Sequence, residues 1–132
     1  MHSVLLVDDD ADSLSALQFV FEVHDFRVAV AANGNLAMAE VTKHLPDLVV
    51  TDMEMPEMDG IELCKRLRCH PSFASVPVVL VSGGEPPMHA PVVWDAFIGK
   101  PVDFYKLMEA MERLPLIRLG LAGQPPARED DT

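Results

Sequence analysis

The sequence predicts an α/β domain, a doubly wound parallel sheet of five strands with helices on its faces. Three observations predict it. Short apolar runs alternate with stretches of helical periodicity along the 132 residues, the order that produces β-α-β units with right-handed crossovers. Three of those runs, at 4–7, 48–51 and 78–81, are almost unbroken Val and Leu, as expected of strands buried on both faces. Several runs also stop at a charged or hydroxyl residue. In such sheets the ligand site lies beyond the carboxyl ends of the strands.

Taken in order, the first strand is Val4–Val7 and the first helix carries Leu14, Leu17 and Phe21 behind an acidic N-cap. The second strand is Arg27–Ala31. Its helix carries Ala37, Met38, Val41 and Leu45 and stops before Pro46. The third strand is Leu48–Thr51, followed by a helix marked by Leu63, Cys64 and Leu67. Val78–Val81 and Ala96–Gly99 are the fourth and fifth strands. The last helix starts at Asp103, a good N-cap, and repeats Phe104, Leu107, Met108, Met111 and Leu114 at steps of three and four until Pro115. Beyond it, PLIRLGLAGQPPAREDDT mixes Pro, Gly and charge without period, and reads as a flexible tail or linker.

Composition narrows the function. A hydrophobic fraction of 49% suits one soluble domain with a single core. No apolar run approaches the ~20 residues of a membrane span, and no signal-peptide succession opens the chain. A cytoplasmic protein that engages no membrane is the expectation. The net charge of −11 leaves no basic stripe with which to bind nucleic acid. Cys64 and Cys69 lack metal-binding or redox spacing and read as free thiols. His2, His24, His44, His70 and His89 are scattered and read as surface or packing residues, not a zinc site.

The strand ends carry the chemistry. Asp8 and Asp9 follow the first strand, Asp52 the third, Ser82 the fourth and Lys100 the fifth. One acid after a strand is usually a cap, but four strand ends agreeing point to one shared site. Two charges about 4 Å apart repel by roughly 4 kcal/mol at an effective dielectric near 20, so clustered carboxylates call for a cation. Asp8, Asp9 and Asp52 are hard oxygen donors suited to Mg²⁺. Beside that metal Asp52 is placed to attack phosphorus as a nucleophile. Lys100 would hold one phosphoryl oxygen and Ser82 would donate to another.

Over about residues 3 to 114 the chain resembles the receiver domain of two-component response regulators. The matching stretches are LLVDDD, LPDLVVTDMEMPEMDG, VPVVLVSG and FIGKPVD, and D-x-x-M-P-x-M-D-G, from Asp52 to Gly60, is the most specific. The resemblance implies a flavodoxin-like sheet with strand order 2-1-3-4-5, a receiver over 1–114 and a tail or linker over 115–132. It implies that Asp52 accepts a phosphoryl group from a sensor histidine kinase or phosphotransfer protein. Asp8, Asp9 and the backbone carbonyl of Glu54 would join Asp52 around Mg²⁺. Ser82 takes the family's hydroxyl role, Phe97 the switch-aromatic role, and a cis Lys100–Pro101 bond would aim the lysine. The function implied is a phosphorylation-driven conformational signal to protein partners. The domain would be no conventional enzyme, although self-phosphorylation and self-dephosphorylation are expected.

One stretch departs from the family. Between Ser82 and Lys100, SGGEPPMHAPVVWDAFIG holds Gly83, Gly84, Pro86, Pro87 and Pro91, and an interior proline costs a helix ~3 kcal/mol. The family's fourth helix is therefore expected to be absent or cut to one turn near Ala90–Trp94. The segment is expected to be mobile and to order on phosphorylation, with Trp94 as reporter. That departure weakens any inference of the family's usual dimer surface, although a homodimer stays open. Glu54 and Gly83 flank the expected phosphoryl position: Gly83 leaves room there for water or a donor, an acidic Glu54 would repel or orient it, and Glu54→Ala is expected to alter the phosphoryl lifetime.

Three other functions compete. An EF-hand loop fits Asp8, Asp10 and Asp12 at positions 1, 3 and 5 but fails at Ser13 and Phe19. A Mg²⁺-dependent phosphatase would use Asp8 as nucleophile and Asp10 as acid, leaving the 52–60 motif unexplained. A degenerate receiver acting only as a binding module would not need the full set of acids, hydroxyl and lysine. The composition of the tail fits both a single-domain regulator and the receiver part of a longer protein with an effector domain after residue 132.

Overall fold

A computed structural model describes residues 2–87 and 91–114. The elements run β1 (His2–Val7), α1 (Ala11–Val23), β2 (Phe26–Ala31), α2 (Gly34–Lys43), β3 (Leu48–Asp52), α3 (Gly60–Cys69), β4 (Val78–Ser82), β5 (Ala96–Gly99) and α4 (Phe104–Glu112). All five strands are parallel, in the order β2-β1-β3-β4-β5. This is the doubly wound, flavodoxin-like sheet expected from the sequence.

Alternation along each strand splits the core in two. Leu5, Val7, Val49 and Val78 pack on one face with Ala37, Val41, Leu63 and Leu67 of α2 and α3. Val4, Leu6, Val50, Val79 and Val81 pack on the other with Phe21 of α1 and Leu107 and Met111 of α4. Phe21 sits edge-on to Phe26 at 5.0 Å and to Phe104 at 6.1 Å, which locks α1 between β2 and α4. Both faces are covered, so the central stretches of β1, β3 and β4 are apolar at consecutive positions, Val4–Val7, Leu48–Val50 and Val78–Val81, and polar residues fall at the strand ends.

Each helix begins at a polar cap. Asp10 accepts from the Asp12 N–H, Asn33 from Leu36, Asp59 from Glu62, and Asp103 from Tyr105 and Lys106. Each such cap stabilises its helix by about 1 kcal/mol. The helix ends differ from the sequence expectation at two places. Leu45 lies beyond α2 and is exposed, because Pro46 disfavours helical backbone at the residue before it. Leu114 lies beyond α4 for the same reason, with Pro115 next, yet its side chain is still buried.

Among the described residues no helix lies between β4 and β5. Residues 88–90 fall outside the described part, as does the expected tail at 115–132. In place of a helix the return segment is pinned by α3. Arg68 Nε donates to the Val93 carbonyl at 2.9 Å and its Nη2 to Asp95 Oδ2 at 2.6 Å. Its Nη1 donates to the carbonyls of Ala74 and Val76 at 3.2 and 2.7 Å. Cys64 Sγ donates to the same Val93 carbonyl at 2.9 Å. Burial pushes the Cys64 thiol pKa up to about 11, so it stays protonated and serves as a donor. These contacts tie Val93–Asp95, the end of the segment expected to be mobile, to α3. Among the described residues no helix is long and apolar enough to cross a membrane.

Candidate functional site

The sheet register aligns the strand ends. Val7 of β1 pairs with Thr51 of β3, Asp52 with Val81 of β4, and Ser82 with Gly99 of β5. Asp8 follows Val7, Lys100 follows Gly99, and the Lys100 N–H donates to the Ser82 carbonyl at 2.8 Å. Residues remote in sequence thus meet at one rim because strand lengths and register bring them there.

Asp8 and Asp52 are each only 5% exposed, whereas Asp9 faces solvent. One carboxylate oxygen from each of the three falls within 4.8 Å of the others. Asp10, the fourth acid of the run, is spent elsewhere: it caps α1 and accepts from the Ser13 hydroxyl at 2.9 Å. Asp10, the residue the phosphatase reading would use as acid, is thus outside the group of three carboxylates. Lys100 Nζ stands 3.0 Å from Asp52 Oδ1. This buried oxygen has no hydrogen-bond partner of good geometry, and the lysine's charge is what faces it. The peptide bond Lys100–Pro101 is cis, as the resemblance implied.

These placements shift two pKa values. Burial raises the Asp8 carboxyl above its usual range, and repulsion from Asp52 and Asp9 adds to it. The Asp10 N–H, 2.9 Å from Asp8 Oδ1, and Lys100 oppose the rise. For Lys100, burial works against the charged form, but the Asp52 carboxylate, with Asp8 and Glu54, more than reverses that and raises the ammonium pKa. Ionised carboxylates here are short of compensating charge. An all-oxygen donor set around a buried oxygen with no hydrogen bond fits a small hard dication such as Mg²⁺.

The 52–60 motif builds the wall of the site. Met55 and Met58 are buried in the α2/α3 core, anchoring the loop. Glu57 between them takes positive φ, 70°. Asp59 caps α3 and Gly60 lies under the Asp52 carbonyl, where a Cβ would come within 2.4 Å of that oxygen. Only glycine lets α3 start so close to β3.

Ser82 is fully buried and its hydroxyl donates to the Glu54 carboxylate while accepting from the Gly84 N–H at 3.0 Å. This contact brings the Glu54 side chain into the site, where the sequence suggested chiefly its backbone carbonyl. Phe97 is half-buried on β5 with its ring 6.4 Å from that of Trp94. Asp8, Asp9, Asp52, Ser82 and Lys100 are therefore together, and Phe97 stands on the neighbouring edge strand. Behind the carboxylates a cavity of about 310 Å³ extends between α1 and the start of α4, lined by Leu14, Leu17, Val102 and Phe104. The Arg68–Asp95 clamp had no sequence signal, because nothing in spacing alone links α3 to the end of the 83–95 segment.

Comparison with known proteins agrees with this architecture. The sequence profile of the response regulator receiver domain matches residues 4–112. The chain is 37% identical over 121 residues to response regulator Rre1 of Synechocystis, covering 88% of this chain and 52% of that protein. It is 33% identical over 114 residues to a 14.6 kDa protein from the sodA1 3′ region of Leptolyngbya boryana, covering 83% and 87%. Thus the chain spans about half the length of the Synechocystis relative. Among solved structures, a receiver domain of a Syntrophus aciditrophicus histidine kinase superposes with a TM-score of 0.78 at 26% identity, covering 100% of this chain and 98% of that one. The chemotaxis protein CheY4 of Vibrio cholerae shares the fold with a TM-score of 0.80 at 24% identity, covering 86% and 98%.

Proposed function

The chain belongs to the response regulator receiver family, and from that premise we propose that Asp52 accepts a phosphoryl group with Mg²⁺ and thereby switches the domain's signalling state. The donor is the phosphohistidine of a sensor kinase or phosphotransfer protein. An Asp52 carboxylate oxygen attacks phosphorus, the P–N bond breaks, and its electron pair leaves with the imidazole. Asp8, Asp9, Asp52 and the Glu54 carbonyl would hold the Mg²⁺. When bound, that ion offsets the carboxylate repulsion and neutralises phosphoryl oxygens. Lys100 orients Asp52 beforehand and is placed to balance charge on the phosphoryl group afterwards. Ser82 donates to a phosphoryl oxygen, and Phe97 responds to that movement at the β5 edge. The output goes to a protein partner in the cytoplasm, and residues 1–114 make up the signalling unit.

One observation carries this reading: the buried Asp52 oxygen without a hydrogen bond, facing Lys100 and flanked by Asp8 and Asp9. The test is incubation with acetyl phosphate, with and without Mg²⁺, followed by mapping of the modified residue. Label on Asp52 that requires Mg²⁺ and disappears in Asp52→Asn is the expected result. Label on Asp8 would favour the phosphatase reading, and no label on either would favour a binding-only receiver.

A further inference from the structure

We propose that Glu54 is a built-in competitor of the phosphoryl group: its carboxylate holds the one proton Ser82 can donate until phosphorylation of Asp52 displaces it. This inference rests on Asp52 being the phosphoacceptor.

A serine hydroxyl has one donor and two acceptor sites. In this protein the donor is engaged by Glu54 and one acceptor site by the Gly84 N–H at 3.0 Å. Ser82 is fully buried, so water offers its hydroxyl no alternative partner. A phosphoryl oxygen on Asp52 can therefore gain the Ser82 hydrogen bond only by taking it from Glu54. The competitor is tethered two residues after the acceptor itself and sits on an exposed loop. Once displaced, its carboxylate moves into water with little desolvation cost. The same arrangement makes Ser82 already turned toward an anion before any phosphoryl group arrives. Glu54 thus sets the threshold for engaging Ser82, acting as a positioning residue and not as part of the phosphoryl chemistry.

A hydrogen bond to a charged group is worth more than a neutral one, and removing this rival should tighten binding of a phosphoryl mimic by about tenfold. The experiment is calorimetric titration with beryllofluoride and Mg²⁺ of the parent, Glu54→Ala, Ser82→Ala and the double variant. Tightening in Glu54→Ala that falls below about twofold in the Ser82→Ala background is the result expected of direct competition. Equal tightening in both backgrounds would mean that Glu54 acts only by its field, and no tightening would mean that it does not compete; either overturns the proposal. Ser82→Cys, near-isosteric and a weak donor, repeats the cycle should alanine lower stability at this buried position. Asp52→Asn separates the two readings: if it binds as well as the parent, or the parent does not bind, the phosphoacceptor assignment falls and takes this inference with it.

Discussion

Lys100 Nζ reaches Asp52 Oδ1 at 3.0 Å, linking the ends of β5 and β3 across the intervening β4. The lysine is 35% exposed and the aspartate 5%, so the pair lies between a buried ion pair and a surface one. Lys100→Met should destabilise the Mg²⁺-free protein by about 1–2 kcal/mol, less than the loss at a fully buried pair because water screens the ammonium. The sign with pH follows from the raised Lys100 pKa. Its contribution is fully present below the ordinary value of 10.5 and is lost as pH rises through the higher folded value. Urea denaturation of parent and variant should therefore differ at pH 7 and converge in strong alkali. A constant gap across that range would refute the pairing.

Asp8 should oppose stability when no cation is present. Its carboxyl pKa is raised by burial first and then by Asp52 and Asp9. A carboxyl raised in the fold costs stability above its unfolded pKa, and the cost vanishes as pH falls below that value. Asp8→Asn should stabilise the metal-free protein by about 1–3 kcal/mol at pH 7, the scale of a relieved like-charge contact, and by nothing near pH 3. Millimolar Mg²⁺ should close or reverse the gap, since only the parent gains from binding it. Thermal melts at the two pH values, with and without Mg²⁺, check both signs.

Much of this was legible in the sequence because strands buried on both faces carry nearly unbroken apolar runs. Val4–Val7, Leu48–Thr51 and Val78–Val81 could hardly be anything else, and the observed β3 and β4 run one residue further, to Asp52 and Ser82. The site was legible because parallel strands end at a common rim, so chemistry placed after each strand converges. Sequence spacing did not show where the acids would divide their work, with Asp8 buried, Asp9 exposed and Asp10 consumed by a helix cap. Nor did it show the Ser82–Glu54 bond or the Arg68 clamp, which depend on side-chain rotamers and on the path of an irregular segment. Leu45 illustrates the opposite error: its helical spacing was right, but the backbone preference imposed by Pro46 prevailed.

Gly60 fixes the distance between α3 and the end of β3. A Cβ there would meet the Asp52 carbonyl oxygen at 2.4 Å, with the Met53 Cα and a Leu80 methyl each at 3.0 Å. The nearest atom is backbone and cannot swing away. Gly60→Ala should cost about 2–4 kcal/mol by overpacking and should also impair modification of Asp52, because any relief moves the acceptor's own peptide. Equilibrium unfolding together with acetyl phosphate labelling tests this. A variant with parental stability and labelling would show that α3 can shift freely.

Arg68 substitutes for a helix as the anchor of the β4–β5 connection. Its guanidinium donates to three carbonyls and to Asp95, which in turn accepts from the Val78 N–H at 2.8 Å. Arg68→Met would leave those acceptors without their shared donor while retaining much of the stem. The loss should be about 2–4 kcal/mol, and amide exchange at 93–95 should accelerate beyond the global effect. Trp94, the single tryptophan, lies between this clamp and Phe97, so its fluorescence should change on phosphorylation of Asp52. In Arg68→Met that change should shrink, because the ring is no longer held against a fixed support. An undiminished Trp94 response in the variant would show that the clamp plays no part in relaying the state of Asp52 to the β5 edge.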